Sequence, residues 1–122
     1  MPDADPVTEL REAARLMRER AAAASPGPWH QLCMGSEGCS VLNDGHLRDR
    51  RLVSFSGRKE WKADHADAVH IASWSPGVAL AVADWLDAEA WTVEASEYRV
   101  ADPLAVAVAV AYLGRTDDQS VT

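Results

Sequence analysis

Phenylalanine is nearly missing from this sequence: one residue, against five tryptophans and two tyrosines. The large apolar payload of any core therefore falls to the tryptophans, and alanine and valine supply the rest. Small side chains let helices approach closely but bury little area each, which predicts a marginal monomer or a chain that pairs with itself. Long hydrophobic runs are missing too. The longest, Leu104 to Leu113, spans ten residues, about half of what crosses a bilayer. The opening "MPDADPVTEL" is acidic and polar, the opposite of a signal peptide. Two cysteines are too few for a disulfide-stapled scaffold, and the expectation is a cytoplasmic protein with both thiols reduced. The seven glycines form no cluster between a strand and a helix, and no serine sits in a nucleophile elbow. Neither a phosphate-binding loop nor a serine nucleophile therefore finds support in the sequence.

What is present describes a folded domain. The chain has 122 residues, 48% hydrophobic and 25% charged, the size and balance of a single globular domain over 1–122. The net charge of −7 is unevenly laid out. Through Trp61 there are nine basic and nine acidic residues; from Lys62 onward there are three basic and ten acidic. Inside the balanced half, "RDRR" (48–51) and "RKEWK" (58–62) form a basic patch. Such polarity suits pairing with another copy or with a charged partner.

The pattern predicts an α+β fold. Asp5 and Pro6 read as N-cap and first residue of a helix over 6–25. Its apolar stripe is Val7, Leu10, Ala14, Met17, Ala21 and Ala24, and "SPGPW" (25–29) stops it. From 29 to 57, short partly β-branched runs broken by glycines predict an antiparallel meander of two or three strands, with "NDG" (43–45) as a hairpin turn. Helices return over 64–114. A short one ends near Trp74, a second opens at Ser75–Pro76, and a third opens at Asp102–Pro103 and closes at Gly114. Alternating valines make "LAVAVAVAYL" readable as a buried strand as well, and the flanking caps favour helix. Residues 115–122 read as a loose tail.

Three sets of residues invite a chemical reading. In "KADHADAVHIASWSP" (62–76), His65 and His70 are five apart, whereas a zinc-protease pair needs four. Asp67 and His70 share a helix face and make half of a carboxylate–imidazole metal site, but no second half exists. The simpler reading is a helix start whose aspartates suit the dipole. His30, Cys33, Cys39 and His46 have the inventory of structural zinc. However, residues three apart on a strand face opposite ways, so the two cysteines read better as buried cross-strand thiols. The hairpin 48–62 could enter a nucleic-acid groove with Trp61 stacking on a base, although the acidic chain as a whole repels phosphate. Trp85, in an apolar helix, reads as core. Trp29 reads as a plug at the helix–sheet junction. Trp61 and Trp91, flanked by charge where elements end, read as interface anchors.

Three stretches, "LREAARLMRERAAAASPGPW", "ADAVHIASWSPGVALAVADWLDAEA" and "DPLAVAVAVAYLGR", resemble small uncharacterised proteins of actinobacterial phages and prophages. More distantly they are similar to the Ead-like early-region proteins of lambdoid phages. The resemblance covers the helical parts of the chain, implies a small α+β domain in a phage-accessory setting, and carries over no catalytic residue.

The sequence thus points to a non-enzymatic phage or prophage accessory protein that binds a host or phage protein and can form a homodimer. No catalytic residue, metal, cofactor, small-molecule substrate or membrane contact is expected. The candidate protein-binding residues are Arg48, Arg50, Arg51, Arg58, Lys59, Trp61 and Trp91. Two alternatives stay open: nucleic-acid binding through 48–62, and metal binding through Asp67/His70 or the cysteine–histidine set.

Overall fold

The computed structural model describes residues 5–33, 39–43, 50–55 and 61–115, with side chains left aside at 50, 51, 53–55 and 61–64. It is an α+β fold with four helices and a three-stranded sheet among the described residues: α1 (Pro6–Ala23), β1 (Trp29–Cys33), β2 (Cys39–Asn43), β3 (Arg50–Phe55), α2 (Trp61–Ser73), α3 (Pro76–Ala95) and α4 (Pro103–Tyr112). By contacts the chain divides into two compact units, residues 1–19 with 80–122, and residues 20–79.

The first unit is helical. Val7, Leu10, Ala13, Ala14 and Met17 of α1 share one buried core with Ala83, Leu86, Ala90 and Val93 of α3 and Ala105 and Ala109 of α4. The α3 residues recur at steps of three and four, the spacing of one helical face. Alanine from each helix lines this seam, and Leu10, Met17, Leu86 and Val93 are its largest fully buried side chains. Trp85 corrects the expectation of a core indole: it is 42% exposed, because it lies one residue, and so about 100°, off the line through Ala83, Leu86 and Ala90.

Capping chemistry sets the ends. The Asp5 carbonyl accepts from the Glu9 backbone N–H at 3.0 Å. Asp102 caps α4, its carboxylate accepting from the Leu104 N–H at 2.9 Å with Pro103 behind it, and Gly114 leaves the helix at φ +74°. Helix is therefore what "LAVAVAVAYL" forms. Arg115, expected at the start of a loose tail, donates to Glu9 at 2.6 Å and Glu12 at 3.0 Å; 116–122 lie outside the described residues.

The second unit carries the sheet, in order β1–β2–β3 and antiparallel throughout. β1 pairs with β2 from Trp29↔Asn43 to Cys33↔Cys39. A register shift between Val41 and Leu42 interrupts the β2–β3 ladder. One sheet face packs on α2: Cys39, Val41 and Ala68 are buried together, with Trp29, Cys33, Leu52, Ile71 and Ala72 around them. Trp29, expected to plug the helix–sheet junction, is half-buried against this cluster, its indole N–H donating to the Ser25 carbonyl at 2.9 Å. The Gly27–Pro28 peptide is cis, and Gly27 lies against Ser75 and Pro76, where an added Cβ would sit 3.5 Å from the Ser75 Cβ. The "NDG" turn itself, at 44–45, falls outside the described residues.

Candidate functional site

Cys33 ends β1 and Cys39 begins β2, and the register sets them directly opposite. Side chains of opposed residues leave the sheet on the same face, here the one that meets α2. The two cysteines form a disulfide with Cα atoms 4.0 Å apart, which corrects the expectation of reduced, free thiols. Above them, His65 occupies the second turn of α2. It shares a face with Ala68 and Ala72, three and seven residues on, both of which pack toward the sheet. Its Nδ1 lies 3.2 Å from Cys33 Sγ. Among the described residues, Cys33, Cys39 and His65 are the group whose ligand atoms come together, all within 4.8 Å of one another. Cys39 is buried, Cys33 half-buried and His65 exposed.

The cysteine–histidine set read from the sequence is thereby revised. His30 belongs to the other face of β1, as strand parity requires, and His46 lies outside the described residues. His65 takes the place of both. It was missed because it is 32 residues from Cys33 and only the docking of α2 joins them; the spacing 65, 68, 72 was the available signal. Asp67 and His70 are both exposed and belong to no such group among the described residues.

The candidate binding residues are only partly placed. Arg48, Arg58 and Lys59 lie outside the described residues. Arg50 and Arg51 begin β3, an outer strand, and Trp61 begins α2; their side chains are not described. Trp91 is 69% exposed on α3, as its charged neighbours suggested. The sequence did not single out its companions: Tyr98 at 80%, Val100 at 75% and Leu104 at 71% exposure. They follow Trp91 along the α3–α4 connector and into the first turn of α4. The connector is held in place. The Tyr98 N–H donates to Ser96 Oγ at 3.2 Å, and the Asp102 N–H donates to Glu89 on α3 at 2.8 Å. Between Tyr98 and Val100, Arg99 adopts φ +50°, a left-handed conformation costing a non-glycine residue about 1–2 kcal/mol.

Arg11, Arg15, Arg18 and Arg115 of this unit each pair with its carboxylates. Arg11 grips Glu94 through both oxygens at 2.6 and 3.1 Å. Arg18 reaches Asp84 at 2.8 Å and also Asp87. Hydrogen bonding and attraction by Arg11 hold the Glu94 carboxyl below its ordinary value, and the carboxylates raise the already high values of Arg11 and Arg18. No family model matches the chain, nor does any curated protein or solved structure.

Proposed function

We propose that the chain is a non-enzymatic binding protein that docks on another protein through the Trp91–Leu104 segment, in a phage or prophage accessory setting. The observation that carries the reading is the run of four large apolar side chains, Trp91, Tyr98, Val100 and Leu104, each more than two-thirds exposed within fourteen residues. Scattered exposed apolar residues are ordinary, whereas such a concentration marks an interaction surface. Trp and Tyr are the residue types that dominate binding energy. The tied connector supports the same reading, since a surface already ordered loses little entropy on docking. The phage setting rests on the resemblance of the helical stretches alone.

The test is capture from a host or phage-infected lysate by the immobilised chain, beside Trp91→Ser and Leu104→Ser variants of equal stability. Binding through this segment predicts a defined partner, another copy included, that the variants lose. Equal capture by all three contradicts it. A mobility-shift titration at two salt concentrations addresses the nucleic-acid alternative, for phosphate contacts lose affinity steeply as salt rises.

A further inference from the structure

Three elements bring soft and borderline donors to one point. The terminal residue of β1, the first residue of β2 and the second turn of α2 place Cys33 Sγ, Cys39 Sγ and His65 Nδ1 within 4.8 Å of one another. Two thiolates and an imidazole are a zinc donor set. Tetrahedral zinc, with bonds of about 2.3 Å to sulfur and about 2.0–2.1 Å to nitrogen, places sulfur and nitrogen about 3.5 Å apart. The observed 3.2 Å between His65 Nδ1 and Cys33 Sγ lies within a small side-chain rotation of that. His65 needs no rebuilding of the backbone to serve, because the face it occupies is fixed by Ala68 against the sheet. Gln31, two residues before Cys33 on the same strand face, keeps a buried Oε1 without a hydrogen-bond partner among the described residues.

We propose that Cys33, Cys39 and His65 form a redox-gated site for a zinc-like divalent cation, closed while the disulfide stands and opened by its reduction. A dithiol reductant gives two electrons and two protons to the Cys33–Cys39 bond, leaving two thiols and becoming a disulfide itself. The cation then bonds to both sulfurs and to neutral His65 Nδ1, and the two thiol protons pass to solvent. Three protein ligands leave a fourth position. Water or a donor from a partner completes the shell there, so the oxidation state of one cross-strand pair decides whether the sheet edge carries a cation. This site is independent of the Trp91–Leu104 segment and stands or falls separately from it.

Cobalt(II) is the probe. The full-length chain is reduced with dithiothreitol, freed of it without oxygen, and titrated with cobalt(II) beside the untreated oxidised chain. The expected result is thiolate-to-cobalt charge-transfer absorption saturating at one ion per reduced chain, two protons released per ion, and no such absorption from the oxidised chain. His65→Gln, at an exposed position that leaves folding intact, lowers the affinity at least tenfold, whereas Asp67→Asn leaves it unchanged. No charge-transfer band from the reduced chain overturns the proposal, and so does undiminished binding by His65→Gln. The oxidised-against-reduced comparison uses one unaltered sequence, so it decides the matter even if Cys33→Ser or Cys39→Ser fails to fold.

Discussion

Leu86 is fully buried at the centre of the helical seam, among alanines that cannot move in to fill a gap. Leu86→Ala is therefore expected to cost about 2–5 kcal/mol, read by urea denaturation. Trp85→Ala, beside it in sequence but 42% exposed, should cost distinctly less; equal losses would mean the indole is core after all. Glu94 carries a different prediction. Arg11 lowers its carboxyl value in the fold, so the contribution is complete above the ordinary value of 4.5 and is lost as pH falls through the lowered one. Arg11→Gln should flatten the stability profile over that acid range while leaving its shape near neutrality unchanged, as measured by denaturation between pH 7 and 3. The pair is exposed, so the effect is small. At this scale the sequence was uneven. Trp29 and Trp91 were legible from a proline–glycine stop and from charged neighbours. Trp85 was misplaced because alanines on several sides of α3 do not reveal which stripe its neighbours cover. His65 was legible only once α2 was known to lie on the sheet.

Elements were easier to read than side chains, because their ends are written in local chemistry. Proline at the first helical position with an aspartate or serine before it marks the starts of α1, α3 and α4, and "SPGP" ends α1 for want of a continuing N–H donor. Removing the α4 cap by Asp102→Ala should cost about 1 kcal/mol, and Asp102→Asn much less, as judged by thermal or urea midpoints. Equal losses for both would move the role from the cap to the negative charge. The cap also decides between helix and strand for "LAVAVAVAYL", where the period of the valines alone does not. The cross-strand opposition of Cys33 and Cys39 was partly foreseen as a neighbour relation. That they meet in register, and so bond, depends on a pairing that no local pattern specifies.

For the molecule as a whole, part of the uneven charge is paired within the chain. Arg11 and Arg18 of the balanced half meet Glu94, Asp84 and Asp87 of the acidic half, and Arg115 returns to Glu9 and Glu12. The polarity that suggested pairing between copies thus serves partly to align helices inside one unit. No helix among the described residues is long and apolar enough to cross a membrane. Among the described residues, the most exposed large apolar side chains are Trp91, Tyr98, Val100 and Leu104. Losing a tryptophan at the centre of such a contact typically costs 2 kcal/mol or more, about thirtyfold in affinity, so Trp91→Ala should weaken partner binding by that order while leaving the urea midpoint in place. The most direct measurement places a photo-cross-linking amino acid at exposed Glu97, beside Tyr98, in cells that express the chain, with Glu19 replaced in the same way as a control. Docking through this surface predicts a discrete protein adduct from position 97, to a second copy or to a different chain, and none from position 19. Illumination that yields no adduct at 97 beyond the control contradicts it.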